Sequence, residues 1–245
     1  MAAFGSCRLL LFLAALILTL GSVCDAQPNL VRKARALLRG NRLAQSVGVN
    51  GIVRLFKEVN RGRRCNMRLC FALDGSGSIS PVQFKVQQDL VKLLASVARE
   101  GGATFSAVQY GLSNTAISTP TGNAPKFRRA VDDSIFQRAP RTFIGSGLGF
   151  CISNLKTEPR GRGRRILLLG DGRSNFFTLA LPLVLSTLND IQISAVGIGF
   201  PRNSRTLLDI TGSRSRLCAV NRYSDIRRIV FKLVRGLCMP VNTRT

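Results

Sequence analysis

The sequence predicts an α/β fold in which a doubly wound, mostly parallel sheet is flanked by helices. From residue 65 onward, short apolar runs alternate with longer amphipathic segments, as in repeated βα units. Several runs are continuously apolar, which is typical of parallel strands buried on both faces. Two of them end in Asp74 and in Gly170-Asp171. Because α/β folds bind ligands at the carboxyl ends of their strands, these two positions are the first candidates for a site.

Residues 1–26 are predicted to be a signal peptide. An apolar run after Arg8 precedes Cys24-Asp25-Ala26, whose small residues fit cleavage after Ala26. The run is too short for a comfortable membrane span, so an uncleaved anchor is the weaker alternative. No later segment reaches about 18 uninterrupted apolar residues. We therefore expect a secreted, extracellular protein.

Residues 27–64, which we name the leader, are predicted to be a basic amphipathic segment or propeptide. They hold ten Lys or Arg residues against one acid, Glu58. Apolar residues recur at helical spacing on both sides of a turn signal at Asn50-Gly51, which predicts two short helices. Their apolar faces either dock on the main domain or lie on anionic membranes or polyanions.

The leader ends in a tetrapeptide that suggests processing. Residues 61–64 (RGRR) resemble the R-x-R-R pattern read by proprotein convertases of the secretory pathway. The same pattern recurs at residues 162–165. The first copy stands in a linker, so cleavage after Arg64 is the processing event that the sequence predicts.

Residues 65–239 are predicted to form the main domain, followed by a short tail at 240–245. Strands are expected at residues 67–73, 103–110, 114–119, 166–169, 191–198 and 217–220. Helices are expected at residues 81–100, 126–134, 145–155, 179–188, 203–210 and 223–237.

Composition excludes several classes of enzyme. The chain has no histidine, so Ser-His-Asp and Cys-His nucleophile systems and HExxH zinc peptidases are ruled out. Paired CxxC spacing for a zinc site is also absent. We expect a non-enzymatic protein.

Three loops carry oxygen ligands suited to a hard cation. Residues 74–78 read D-x-S-x-S, Thr142 opens a helical segment, and Asp171-Gly172 follows a third apolar run. Carboxylate and hydroxyl oxygens suit Mg²⁺ and, less selectively, Mn²⁺ or Ca²⁺. The alternative is a purely structural role, in which Asp74 and Asp171 only cap the helices that follow them.

In these three loops, the chain resembles a von Willebrand factor A domain with a complete metal-ion-dependent adhesion site. The resemblance covers about residues 65–238 and implies a Rossmann-type topology. It also implies direct ligation by hydroxyls, with the carboxylates acting partly through water. The implied metal ligands are Asp74, Ser76, Ser78, Thr142 and Asp171. A ligand's carboxylate, sulfate or phosphate would complete the coordination, which is adhesion rather than catalysis.

One position departs from the family's pattern. Gly170 stands where the family commonly has Thr before the third-loop Asp. We expect this glycine to loosen the carboxylate of Asp171 and to weaken metal affinity.

The five cysteines left after the signal peptide are an odd number. In an oxidising compartment, an odd count leaves at least one free or intermolecular thiol. The resemblance implies a disulfide between Cys65 and Cys238 that joins the two ends of the domain. Cys70 and Cys151 are expected to be small buried apolar residues, and Cys218 is the expected odd thiol.

The charge predicts acidic partners. The chain carries 36 Lys or Arg against 12 Asp or Glu, a formal net charge of +24. The planar guanidinium group of arginine can donate two hydrogen bonds at once to a carboxylate, sulfate or phosphate group. The predicted polyanion-binding residues are Arg128, Arg129, Arg160, Arg162, Arg164 and Arg165.

We expect the partner to be an extracellular acidic protein or a sulfated polysaccharide. Nucleic acid is not expected, because the aromatic residues occupy core positions. Membrane contact is expected only through residues 27–64, and the sequence leaves the oligomeric state open.

The predicted function is that of an adhesion-type protein in an extracellular matrix, and a mineralised matrix is one such setting. The alternatives are a host-defence protein that uses the basic leader and, least favoured, a magnesium-dependent hydrolase, for which the loops lack a base.

Overall fold

The computed structural model describes residues 28–60, 65–157, 163–174, 191–198, 204–220 and 225–238. Several predicted features lie outside these residues. They are the signal peptide, the processing positions Ala26 and Arg64, the helix expected at 179–188, and the tail.

The described strands form one six-stranded sheet. They are β1 (Met67–Asp74), β2 (Thr104–Tyr110), β3 (Thr115–Thr121), β4 (Gly163–Gly170), β5 (Ile191–Ile198) and β6 (Leu217–Val220). The spatial order is β3-β2-β1-β4-β5-β6, and only β3 runs antiparallel to its neighbour. This confirms the doubly wound α/β fold. The strand order reverses between β1 and β4, so a ligand crevice is expected at their carboxyl ends.

Seven α-helices accompany the sheet in the described part of the chain. They are α1 (Pro28–Leu38), α2 (Arg42–Asn60), α3 (Pro81–Arg99), α4 (Ala124–Asp132), α5 (Ile144–Lys156), α6 (Ser204–Thr211) and α7 (Ile226–Cys238). None of the helices described has the length and hydropathy needed to cross a bilayer.

The central strand β1 sends alternate side chains into two separate cores. Leu69, Phe71 and Leu73 belong to a core that also contains buried residues of α3, α4 and α7 and of the leader helices α1 and α2. Cys70 and Ala72 belong to a second core with α5 and α6. We name the two sides of the sheet the leader face and the opposite face.

The leader helices bend where glycine permits it. The predicted turn at Asn50-Gly51 is wrong, because both residues lie inside α2. The backbone bends at Gly48, whose φ of 76° is in the left-handed region that only glycine adopts readily. At Gly51 a Cβ atom would lie 2.7 Å from Val47 Cγ1, so this glycine serves close packing within the helix.

The apolar side of the leader is part of the protein's core. Ile52, Leu55, Phe56 and Val59 are buried, and α2 contacts both α3 and α7. Burying a large aliphatic or aromatic side chain contributes about 1.5–3 kcal/mol. The docking of α1 and α2 therefore stabilises the whole leader face.

Polar contacts fix the leader's position on the domain. At the bend between α1 and α2, Asn41 Oδ1 accepts from the Ala44 N–H at 2.8 Å, which caps α2, and its Nδ2 donates to the Asp89 carbonyl at 2.9 Å. Lys33 Nζ lies 2.7 Å from Glu100 Oε2. The Arg54 guanidinium stacks 5.5 Å from the ring centroid of Phe231 on α7.

Two disulfides connect distant parts of the chain. One joins Cys65 to Cys238, at the start of the domain and the end of α7. The other joins Cys70 on β1 to Cys151 on α5, a pairing that the sequence left open. Both residues are buried, as predicted, but as a disulfide and not as separate small apolar side chains. They are 81 positions apart in sequence, and the packing of α5 on the opposite face brings them together. Among the described cysteines, Cys218 is free and buried.

Candidate metal site

The loop between β1 and α3 gathers one carboxylate and two hydroxyls. Asp74 is fully buried at the end of β1, and its Oδ1 accepts from the Ser76 N–H at 2.9 Å. The hydroxyl oxygens of Ser76 and Ser78 lie 2.9 Å apart.

The helix that follows this loop, α3, is capped by Ser80 and not by Asp74. Ser80 Oγ accepts from the Gln83 N–H at 3.2 Å and the Gln83 side chain returns a bond to the Ser80 N–H, so Asp74 does not cap α3.

Neighbouring backbone holds this loop in place. The Gly75 N–H donates to the Tyr110 carbonyl at 2.8 Å, and the Ala139 N–H donates to the Gly75 carbonyl at 2.9 Å. The Gly77 N–H donates in turn to the Ala139 carbonyl at 2.6 Å. The loop is therefore fixed from both sides by main-chain bonds.

Two buried glutamines beside the site were not predicted from the sequence: Gln87 holds the loop, and Gln109 holds the neighbouring segment 135–137. Gln87 on α3 accepts from the Asp74 N–H at 2.8 Å and donates to the Asp74 carbonyl at 3.3 Å. Gln109 on β2 donates to the Ile135 carbonyl at 2.8 Å and accepts from the Gln137 N–H at 2.9 Å. The available signal was a polar residue within an otherwise apolar strand or inner helix face.

Thr142 and the two serines line one cleft. Thr142 is buried next to the start of α5, and its carbonyl accepts from the Ser174 hydroxyl at 3.3 Å. The cleft has a volume of about 220 Å³ and is also lined by Arg173. We name it the metal cleft.

Asp171 occupies the loop after β4. Its Oδ1 accepts from the Arg173 N–H at 2.9 Å, and its Oδ2 lies 3.7 Å from Arg173 Nε. The side chain of Arg173 is exposed. This arginine, which the sequence analysis did not select, therefore supplies a positive charge beside the third-loop carboxylate.

The structure gives Gly170 a role other than the loosening we expected. A Cβ atom at this position would lie 2.4 Å from the Tyr110 hydroxyl oxygen and 2.6 Å from Asp74 Oδ2. The tyrosine therefore fills the space that a larger residue would need. Its hydroxyl donates to the Leu169 carbonyl at 2.9 Å, which ties β2 to the end of β4.

The Asp74 carboxylate is poised to accept a cation. Burial raises its pKa to about 6, although hydrogen bonds from the Ser76 hydroxyl and N–H oppose the rise. The negative charge of Asp171 raises this pKa further. Asp74 Oδ2 makes no hydrogen bond of ordinary geometry in the described part of the chain, although the Asp171 backbone and the Tyr110 hydroxyl lie close to this carboxylate. The Tyr110 hydroxyl donates to the Leu169 carbonyl. A buried, unpartnered carboxylate oxygen is costly unless a cation approaches it.

The donor set fits a hard divalent cation. Two carboxylates and three hydroxyls offer oxygen ligands alone, which suits Mg²⁺, Mn²⁺ or Ca²⁺. Within the described ranges there is no group of three or more acids, cysteines or histidines that could hold a metal. Two carboxylates balance the charge of a divalent ion without exceeding it, so the site would not repel an anionic group that takes an open coordination position.

The predicted arginine surface is only partly exposed. On α4, Arg129 is exposed and Arg128 is half-buried, while Arg164 on β4 is partly exposed. Arg160 and Arg162 lie outside the described residues.

Arg165 requires a correction, because it is buried and unavailable to a polyanion. Its guanidinium donates to the Gln192 side chain and, at 3.0 Å, to the Gly236 carbonyl at the end of α7. Burial and the nearby charge of Arg216 lower its pKa to about 10.

Comparisons with known proteins agree with the observed fold. The sequence profile of the von Willebrand factor type A domain matches residues 69–231. A comparison with curated protein sequences finds no match.

Solved structures share the fold at low identity. Proximal thread matrix protein 1 (PTMP1) from the mussel byssus is 22% identical, with a TM-score of 0.61 over 70% of this chain and 48% of that chain. Another structure of PTMP1, with a zinc-occupied MIDAS motif, is 20% identical, with a TM-score of 0.62 over 70% and 48% of the two chains. The protein BatB from Bacteroides thetaiotaomicron is 15% identical, with a TM-score of 0.57 over 69% of this chain and 98% of that chain. The matching part spans about half the length of PTMP1.

Proposed function

Because the chain belongs to the von Willebrand factor type A domain family, we propose that it is a secreted, adhesion-type matrix protein that binds an acidic ligand through a divalent cation. The cation would be held by Asp74, Ser76, Ser78, Thr142 and Asp171. The activity is binding rather than catalysis, and a mineralised matrix is one setting that would supply acidic partners.

The observation that carries the proposal is the unpartnered oxygen of Asp74. This oxygen is buried, and the other oxygen of the same carboxylate is bonded to Ser76, whose hydroxyl lines the metal cleft. A bound cation would give Oδ2 a partner and offset the desolvation that raises the Asp74 pKa. When bound, the ion supplies an open coordination position for an anionic group of the ligand.

The ion is expected to be Mg²⁺, Mn²⁺ or Ca²⁺, because the proposed ligands are all oxygens. Zinc generally prefers nitrogen and sulfur ligands. The PTMP1 structure with a zinc-occupied MIDAS motif nevertheless makes zinc a necessary comparison in any titration.

Arg173 would help to position the ligand. It lines the metal cleft with an exposed side chain and is already attracted to Asp171. An incoming carboxylate or sulfate would find this guanidinium beside the cation, and charge-assisted bonds of this kind are among the stronger ones.

Two further observations support an extracellular setting. The two disulfides suit an oxidising compartment. The similar PTMP1 is a matrix protein.

The host-defence alternative is not favoured. A membrane-active leader needs a free apolar face, whereas the apolar residues of α1 and α2 are packed in the core of the leader face.

The test is a calorimetric titration of Mg²⁺, Mn²⁺ and Zn²⁺ into wild type, Asp74→Asn and Asp133→Asn. Asp133 is an exposed acid after α4 and serves as the matched control. We expect Asp74→Asn to weaken Mg²⁺ binding on the order of 100-fold, because a charged ligand is lost, and Asp133→Asn to leave it unchanged. At high salt, where the contribution of the arginines is screened, retention on immobilised polyglutamate should require the cation and disappear with EDTA. Equal Mg²⁺ affinity for all three proteins would refute the site.

A further inference from the structure

A second cleft lies where the leader meets the domain. It has a volume of about 350 Å³, near the lower end of the roughly 300–1,000 Å³ range of small-ligand sites. The end of α1 and the bend before α2 form one wall, and one side of α4 forms the other. We name it the basic cleft, and its charged lining residues are Arg39, Lys92, Arg128, Arg129 and Asp132.

The buried lysine of this cleft is already neutralised. Lys92 is only 3% exposed, and its Nζ lies 3.0 Å from Asp89 Oδ1 and 2.6 Å from Asp132 Oδ1. Lys85 Nζ also approaches Asp132, at 3.3 Å. These groups form a charge network within the protein, so neither Lys92 nor Asp132 is free to pair with the three arginines.

Among the described residues, the three arginines have no ion-pair partner of their own, although the charge of Asp132 acts on Arg128. In the part of the chain that is described, Arg39, Arg128 and Arg129 form no ion pair. Burial and the charge of Arg99 lower the pKa of Arg128, and Asp132 only partly opposes this. The basic cleft therefore brings together three positive groups from two parts of the chain, with room between its walls for an anion.

We propose that the basic cleft binds sulfate groups of a sulfated polysaccharide, separately from the metal cleft. A sulfate ester presents three oxygens in a tetrahedral arrangement, so guanidinium groups on opposite walls can bond to it at once. A planar carboxylate has two oxygens and is satisfied by one guanidinium fork. The inference rests on the proposed function for an extracellular acidic partner, and it assigns the polysaccharide and the acidic protein to different clefts.

The position of Arg39 means that a ligand bound in the basic cleft contacts both the leader and the domain. Arg39 belongs to the leader, whereas Arg128 and Arg129 belong to α4. A bound polysaccharide therefore bridges the leader and the domain, and it stabilises the docked leader because it binds only when the two are together.

The test uses the full chain and a heparin dodecasaccharide in the presence of EDTA, which removes any contribution of the metal cleft. The first variant carries Arg39→Gln, Arg128→Gln and Arg129→Gln. The control variant carries Arg205→Gln, Arg214→Gln and Arg227→Gln, which remove the same charge from exposed positions elsewhere. We expect the cleft variant to bind on the order of 30-fold more weakly or worse, and the control to change by less than about 3-fold.

Two further measurements accompany this comparison. The slope of log affinity against log salt concentration should fall by roughly two to three for the cleft variant, since each lost arginine–sulfate contact releases fewer counterions. Heparin should raise the melting temperature of wild type and not that of the cleft variant. The single variant Arg129→Gln, at an exposed position, repeats the test without risk to folding.

Three results would overturn the proposal. Equal loss of heparin affinity in the cleft and control variants would mean that the binding depends on net charge alone and not on the cleft. Tighter binding of duplex DNA than of heparin at equal charge would assign the cleft to a different macromolecule, and equal displacement by polyglutamate would remove the preference for sulfate. A failure of the metal site leaves this test unaffected, because every heparin measurement is made in EDTA.

Discussion

The two faces of the sheet are stabilised in different ways. On the leader face, α3 and α7 are covered in turn by the leader, so apolar packing extends to a segment outside the residues that match the family profile. On the opposite face, a disulfide ties α5 directly to β1. The Cys65–Cys238 bond closes the end of the leader face, but the leader itself is held there by noncovalent contacts alone among the described residues, whereas the helix layer of the opposite face is bonded covalently to β1. The first kind of support can be removed by truncation and the second by reduction.

Deletion of the leader should have the largest effect. Removing residues 27–60 exposes the sides of α3 and α7 that α2 covers and deletes about ten buried residues from the core. At about 1.5–3 kcal/mol for each large side chain, the loss rivals the whole stability of a typical domain. We expect an insoluble or molten product by circular dichroism and dye binding, whereas deletion of residues 240–245 should change nothing. A soluble leaderless domain with an unchanged melting temperature would contradict the role of the leader face.

Removal of each disulfide should have the next largest effects. In the chain-entropy model, Cys65→Ala/Cys238→Ala loses about 5 kcal/mol and Cys70→Ala/Cys151→Ala about 4.5 kcal/mol, because the first bond closes the longer loop. Urea denaturation measures both losses. Peptide mapping without reduction should recover the two native pairs, with Cys218 alkylated only after unfolding. Recovery of a Cys65–Cys70 peptide would contradict both pairings.

The buried carboxylate of Asp74, at the end of β1, should make the free energy of unfolding depend on pH. In the metal-free protein the pKa of Asp74 is raised from 3.8 to about 6, so the folded state retains a proton that the unfolded state has lost. The free energy of unfolding should therefore fall by at most about 3 kcal/mol as the pH rises from about 4 to above 6. Denaturation in EDTA across this range measures the fall, and Asp74→Asn should abolish it. Stability that rises through this window in wild type, relative to the variant, would contradict the burial of Asp74.

The ion pair at the edge of the leader face should have the smallest effect. Lys33 is 41% exposed and Glu100 is 18% exposed, so solvent screens much of their attraction. A double-mutant cycle with Lys33→Met and Glu100→Gln should give a coupling of about 0.5 kcal/mol. A coupling of 2 kcal/mol or more, on the order of a buried pair, would mean that polar contacts rather than apolar packing hold the leader.

The parts of the fold that sequence predicted are those that local pattern determines. The β1 run before Asp74 and the helix that begins at Pro81 follow from hydrophobic periodicity and capping residues. The three candidate metal loops were predicted because their short motifs resemble those of the family. Two of them, at Asp74 and Asp171, follow strands that are neighbours in the sheet, so their carboxyl ends lie side by side.

The features that were missed depend on contacts between distant residues. Cys70 and Cys151 meet only when α5 packs on β1, and Arg165 is buried only because the end of α7 lies above it. The two cysteines are of a residue type that is often small and buried, and the arginine is of a type that is usually an exposed cation. Nothing in their immediate sequence could have signalled the partner that changes that role.

The docking of α1 and α2 also determines what cleavage after Arg64 would do. While the chain is continuous, the leader is present at its docking surface at an effective concentration on the order of millimolar, whatever the dilution of the protein. Once cut, the same helices become a separate peptide held by packing and a few polar contacts, because Cys65 follows the cut and the described disulfides do not include the leader. Occupancy of the leader face would then follow mass action, and dilution alone would release the leader.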